Sequence, residues 1–231
     1  MDIERLIVMD KQLLMFFNGS DSSFADAVVL SLTNALTWVP LYVALIYLVV
    51  KNNGKFVQAL LVICAALLCI LLASGLSGIV MKPWVGRLRP SLDPAMFGVV
   101  KLAKGYTASG FSFFSSHAAN TFSLAVFLSL VVRSRFLTFA MLFWSLVNAW
   151  TRLYLGVHYP SDIFVGLCWG ALVGFVVYVL FSFLYMKVTD KLHYISSQYT
   201  RSGYSFSDIN VVLSVMSLTF LAVLLRAASV S

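Results

Sequence analysis

Three short stretches of this 231-residue chain carry side chains suited to chemistry on an anion: KPWVGRLRP (82–90), FSSHAAN (114–120) and TRLYLGVHYPSD (151–162). Lys82, Arg89 and Arg152 offer point and forked cations to the non-bridging oxygens of a phosphate. The hydroxyls of Ser115 and Ser116, with nearby backbone N–H groups, can donate to the same oxygens. His158 and Asp162 are four residues apart with Pro160 between them, so Asp162 is expected in the first turn of a helix, reaching back to one imidazole nitrogen. That hydrogen bond fixes the tautomer and leaves the other nitrogen free to attack phosphorus, while His117 can protonate the leaving oxygen. An unperturbed histidine pKa of about 6.5 suits both tasks at neutral pH. The chain has three histidines, and the third, His193, lies outside these stretches and is expected to take no part.

The elements that must position these residues are read from composition. With 61% hydrophobic and 11% charged residues, the chain falls outside the range of soluble globular proteins and is expected to be an integral membrane protein. A helix rising about 1.5 Å per residue needs roughly 17 to 25 apolar residues to cross a hydrocarbon core of about 30 Å. Six candidate spans follow: 27–50, 56–81, part of 105–132, 137–151, 163–186 and 209–225, of which the fourth and sixth are short. Long apolar runs exclude the alternating pattern of a membrane barrel. The expected fold is therefore all-α, a polytopic six-helix bundle forming one domain over 1–231. The first stretch, MDIERLIVMDKQLLMFF, is interrupted by charges and reads as an amphipathic helix on the membrane surface, not as a signal peptide.

With six spans, KNNGK (51–55), RSR (133–135) and the segment holding Lys187, Lys191 and Arg201 share one side, which the positive-inside rule makes cytoplasmic. The three motifs then face the other side. Cys64, Cys69 and Cys168 lie inside spans and read as packing residues. Asn34, Trp38 and Pro40 read as packing, interface anchoring and a helix kink. The segment 97–114 either caps the site or rests at the interface, and Asn120 reads as a polar contact between helices. Arg87, Lys101 and Lys104 suit either a second phosphate or solvated loop charge.

The three motifs resemble the signature of the type 2 phosphatidic acid phosphatase superfamily: Lys-x6-Arg-Pro, Pro-Ser-Gly-His, and Ser-Arg-x5-His-x3-Asp. Here the first runs from Lys82 to Arg89-Pro90, and the third from Thr151-Arg152 through His158 to Asp162. The second departs from the pattern, with Phe114 for proline and Ser116 for glycine, and Thr151 replaces the serine of the third. Either the loop tolerates a Cβ at Ser116 or its hydroxyl adds a donor. The resemblance implies a phosphohistidine intermediate, with His158 as nucleophile, His117 as general acid and Asp162 as orienting carboxylate. Lys82, Arg89, Arg152 and Ser115 then bind phosphate, and no metal or other cofactor is used.

The expected function is hydrolysis of a lipid phosphate at the periplasmic face of the cytoplasmic membrane. Undecaprenyl diphosphate, phosphatidylglycerol phosphate, phosphatidic acid and lipid A phosphate are the candidate substrates. The expected partners are this lipid and the membrane, with no nucleic acid. Alternatives are phosphoryl transfer to another lipid, or non-enzymatic lipid binding and transport. A two-metal phosphatase needs clustered carboxylates, yet of nine acidic residues only Asp93 and Asp162 lie in or near the motifs. Phosphate release is therefore expected to persist in EDTA. Activity that vanishes with the chelator and returns with magnesium overturns this expectation.

Overall fold

Polar residues at the ends of the apolar runs cut the chain into helices. In a computed structural model, which describes residues 3–189 and 197–230, these are α1 (Ile3–Phe17), α2 (Ser23–Thr33), α3 (Val39–Asn52), α4 (Phe56–Gly75) and the short α5 (Lys82–Val85). They continue with α6 (Ser116–Val132), α7 (Arg135–Tyr154), α8 (Pro160–Val188) and α9 (Phe206–Val230). The caps are local: Ser22, Ser115 and Ser134 accept backbone N–H groups at the starts of α2, α6 and α7. Pro160 opens α8 and Asp162 sits in its first turn, as its spacing predicts. A π-helical turn, Leu76–Met81, joins α4 to α5, and Gly86, with φ of 61°, ends α5 in the left-handed conformation. His193 and Lys191 lie outside the described residues.

The expected six spans are only partly matched. Four helical segments, 35–52, 56–96, 160–188 and 206–230, are long and apolar enough to cross a membrane. The expected first span is broken at Asn34, where extended backbone separates α2 from the 3-10 turn Ala35–Trp38. Pro40 opens α3 instead of kinking a longer helix. Trp38 is buried rather than at an interface: its indole N–H donates to Leu32 O at 2.9 Å, and its ring packs edge-on against Trp144 and Phe220. The expected third span yields a 17-residue α6, because 106–115 is irregular backbone before Ser116. α7 is 20 residues long but carries buried Asn148, Thr151 and Arg152, which dilute its apolarity. The last helix runs 25 residues, longer than the apolar stretch within it suggests.

α6 packs side by side with α8, both starting at the same end of the bundle. Gly166, Gly170 and Gly174 of α8 face the backbone of α6 at Ser115, Ala119 and Ser123, the same four-residue spacing on each helix. A Cβ at Gly166 would lie 2.7 Å from Ser115 O, at Gly170 2.6 Å from Ala119 O, and at Gly174 2.6 Å from Ser123 O. Ala118, Ala119 and Ser123 on the facing helix are small and fully buried. In lipid, where apolar burial drives helix association weakly, such close backbone contact supplies the packing energy. Gly170→Ala meets backbone, so the helices must separate, an overpacking cost of about 1–3 kcal/mol. Its thermal midpoint in detergent should fall relative to Gly54→Ala, where nothing lies within 4 Å. Equal midpoints for the two variants count against the close packing.

Candidate active site

The ends of four elements meet where α6 and α8 begin. α8 delivers Asp162, and the turn before it delivers His158; both are buried. Asp162 Oδ2 accepts the backbone N–H of Tyr159 at 2.9 Å and lies 3.5 Å from His158 Nδ1. The other imidazole nitrogen, Nε2, lies 3.2 Å from an N–H of Arg89. A neutral imidazole with its lone pair on Nε2 accepts from Arg89, while its Nδ1 proton faces Asp162 Oδ2 across 3.5 Å, a buried nitrogen without a closed hydrogen bond. Burial pushes the His158 pKa down to about 4, against the opposing pull of Asp162. The unperturbed value near 6.5 expected from sequence therefore does not describe this site, because desolvation outweighs the carboxylate.

Arg89 is buried and locks the segment before α6 to the α7–α8 turn. Its guanidinium donates to Ser109 O and Gly110 O at 3.1 Å each, and to Val157 O at 2.9 Å. Arg152, at the end of α7, donates to Thr33 Oγ1 at 2.6 Å and to Tyr106 OH at 3.4 Å. Its Nε is buried without a partner. Lys82, placed by the π-turn, is half-buried and has no acceptor among the described residues. Arg89 and Arg152 are near enough to Lys82, His117 and His158 for their charge to be felt at all three. His117, on the first turn of α6, is exposed toward this space.

The two serines differ in role. Ser115 caps α6: its Oγ accepts the Ala118 N–H at 3.4 Å, which leaves its own hydroxyl proton for a ligand. The backbone N–H groups of Ser116 and His117 have no acceptor among the described residues and point from the helix start, an arrangement that favours an anion. Ser116 has negative φ, so a Cβ at the family's glycine position costs no backbone strain. Its hydroxyl pairs with Ser77 Oγ at 2.9 Å. Because the Ser77 proton goes to Phe114 O at 2.7 Å, Ser116 is the donor in that pair, and its side chain is committed to the π-turn after α4.

The remaining loop cations separate. Lys101 pairs with Asp21 at 2.8 Å on the surface, and Lys104 is exposed with φ of 48°. Arg87 is turned inward to Asp162 at 2.8 Å and to Asp10 of α1 at 2.6 Å. The segment 97–114 serves the site through Ser109, Gly110 and Tyr106, while Phe97 points outward. Asn120 Oδ1 is buried without a partner. Sequence reasoning did not find Thr33, Tyr106, Ser77 or Asp10, whose partners are remote in sequence. The glycine stripe carries a legible signal, small residues at four-residue intervals in an apolar run. A groove of about 1290 Å³ between α1 and the start of α8 is lined by Arg87, Tyr159 and Ser161, but by neither His117 nor His158.

Comparison with known proteins bears on this arrangement. The model of the PAP2 superfamily matches residues 62–186, over half of the chain. The chain is 40% identical over 191 residues to a lipid A 4'-phosphatase of Bacteroides thetaiotaomicron, covering 82% of this chain and 83% of that one. It is 33% identical to a lipid A 4'-phosphatase of Porphyromonas gingivalis, covering 78% and 75% respectively. In fold it is similar to the crystal structure of a PAP2-type phosphatidylglycerolphosphate phosphatase from Bacillus subtilis. That match has a TM-score of 0.57 and 18% identity, covering 81% of this chain and 90% of that one.

With the His158 pKa near 4, its imidazole is neutral at neutral pH and gains a proton only as pH falls toward 4. An NMR titration of ring-labelled protein should therefore show a histidine midpoint well below 6.5 that is missing from His158→Gln. A His158 midpoint at 6.5 or above contradicts the burial argument.

Proposed function

The chain belongs to the PAP2 superfamily and is a membrane lipid phosphatase; from that premise we propose that it removes the 4'-phosphate of lipid A at the extracytoplasmic face of the cytoplasmic membrane, through a phosphohistidine on His158. One observation carries the proposal. Arg89 and Arg152 act on His158 and, together with Lys82, on His117, and the carboxylate near them is Asp162, which Arg87 already pairs. This local excess of positive charge calls for a multiply charged anion, and a phosphate monoester supplies one. The choice of lipid A rests on two relatives of that name that align over most of their length.

In the first step His158 Nε2 attacks phosphorus, the bond from phosphorus to the sugar oxygen breaks, and that oxygen takes a proton from His117. Arg89 turns the N–H it holds toward Nε2 onto a phosphate oxygen, which frees the lone pair. Arg152 Nε, Lys82, the Ser115 hydroxyl and the N–H groups of Ser116 and His117 take the remaining oxygen positions. Asp162 holds the Nδ1 proton and stabilises the positive ring as the N–P bond forms. In the second step water attacks the phosphohistidine, His117 accepts its proton, the N–P bond breaks, and phosphate leaves with His158 restored.

The same reading assigns six membrane crossings, the four long segments together with α6 and α7. Lys51, Lys55, Arg133, Arg135, Lys187 and Arg201 lie at helix ends opposite the site, which supports a cytoplasmic assignment for that end. α1, with Leu6, Ile7, Met9, Leu13 and Phe16 exposed, then rests on the outer surface of the bilayer.

The test offers purified protein bisphosphorylated lipid A, phosphatidylglycerol phosphate, phosphatidic acid and undecaprenyl diphosphate, with mass spectrometry locating the phosphate lost. Wild type should dephosphorylate lipid A fastest and at the 4' position. His158→Ala should give no trapped phosphoenzyme. His117→Ala should lose about 10²–10⁴-fold on lipid and less on p-nitrophenyl phosphate, whose leaving group needs no proton. Loss of the 1-phosphate, or preference for a glycerophospholipid, overturns the substrate. A phosphohistidine in His158→Ala overturns the mechanism.

A further inference from the structure

Arg87 is the motif cation for which the mechanism above has no task. Its guanidinium is almost fully directed: one nitrogen donates to Asp162 Oδ1 at 2.8 Å and to Ser161 Oγ at 2.7 Å, the other to Asp10 Oδ2 at 2.6 Å. Its plane lies over the Tyr159 ring at 3.9 Å. Asp10 belongs to α1, yet it caps α8, accepting the Ser161 backbone N–H at 2.9 Å and its hydroxyl at 2.6 Å. A carboxylate at a helix start is favourable there, so Asp10 has two independent reasons to stay. A second tie lies alongside, Lys11 of α1 to Asp93 at 3.0 Å, and Asp93 accepts the Tyr159 hydroxyl at 2.8 Å.

We propose that Asp10 and Arg87 are positioning residues, through which helix α1 holds the Asp162 carboxylate in its working orientation toward His158. The inference rests on the assignment of His158 as nucleophile and Asp162 as its partner. Asp162 has two oxygens. The Tyr159 N–H and His158 share Oδ2, while Arg87 alone among the charged groups of the described residues pins Oδ1. Without that fork, the carboxylate is free to turn about its own axis and carry Oδ2 away from Nδ1, which at 3.5 Å has no closed hydrogen bond to spare. The alternative suggested by sequence, a contact to a second substrate phosphate, is disfavoured by charge: an anion approaching Arg87 meets Asp10 and Asp162, both already paired with it.

The experiment compares Arg87→Gln, Arg87→Lys, Asp10→Asn and His158→Ala in the full-length protein in detergent. Rates are measured on p-nitrophenyl phosphate and bisphosphorylated lipid A, with rapid-quench trapping of phosphoenzyme and a thermal midpoint for each variant. Arg87→Gln should lower kcat and phosphoenzyme formation by about 100-fold on both substrates, with KM unchanged, as expected when a reacting geometry is lost at a distance. Arg87→Lys, which keeps one charged donor to Asp162, should recover part of the loss, and Asp10→Asn should lose less than Arg87→Gln. If Arg87→Gln does not fold, the other two variants make the same comparison. A raised KM confined to lipid A, with kcat kept, makes Arg87 a substrate contact and overturns the proposal. A lowered midpoint with unchanged kcat makes the chain purely structural and also overturns it. Phosphoenzyme in His158→Ala defeats the underlying assignment, whatever the Arg87 variants do. An inactive His158→Ala beside a fully active Arg87→Gln defeats the brace alone.

Discussion

Everything at the site depends on how near two helix backbones come. α6 and α8 meet through Gly166, Gly170 and Gly174 against Ser115, Ala119 and Ser123, where a single added methyl group finds backbone oxygen at 2.6–2.7 Å. Because both helices start at the same level, this contact sets their first turns beside each other. His117 comes from one and Asp162 from the other, and the Ser115 N–H donates to the Asp162 carbonyl at 3.1 Å. A bundle held by larger side chains would set these turns farther apart. Packing in lipid selects small residues for association, and here the same choice sets the distance between His117 and Asp162.

Charge is arranged around that contact in two layers. The inner layer, Lys82, Arg89 and Arg152, lacks enough carboxylate to neutralise it. The outer layer is paired, two cations against three carboxylates: Arg87 with Asp10 and Asp162, and Lys11 with Asp93. Burying unpaired cations is costly, and the protein reduces the cost with backbone carbonyls and hydroxyls: Ser109, Gly110 and Val157 around Arg89, Thr33 and Tyr106 around Arg152. These neutral acceptors hold the guanidiniums in place without cancelling the field that attracts an anion.

The short-range parts of this design were legible in the sequence. The i,i+4 pair His158 and Asp162, the helix opened by Pro160 and the three clusters at helix ends follow from local spacing, and the structure brings the named residues into one space. What was not legible depends on partners far along the chain. The break at Asn34 leaves Thr33 in position to meet Arg152, a contact across 119 residues. Arg87 looked like a solvated or substrate-binding cation because Asp10 lies 77 residues before it and Asp162 75 after. Ser116 read as a phosphate donor because its neighbours are serine and histidine, whereas its hydroxyl turns to Ser77, 39 residues away. α6 is shorter than its apolar run because the backbone before Ser116 is irregular, and α7 is less apolar because Asn148, Thr151 and Arg152 are buried in it.

The N–H of Arg89 that points at His158 Nε2 gives the resting protein a form of discretion. The lone pair proposed to attack phosphorus is covered by a guanidinium that is itself tied to three carbonyls. A neutral electrophile drifting into the pocket meets a hydrogen-bond donor, and has nothing to offer Arg89 in exchange. An anion does, and in drawing that N–H to itself it uncovers the nitrogen at the moment phosphorus comes within range. On the proposed mechanism, reactivity is thereby made conditional on the arriving group's charge, and the imidazole stays covered toward uncharged surroundings.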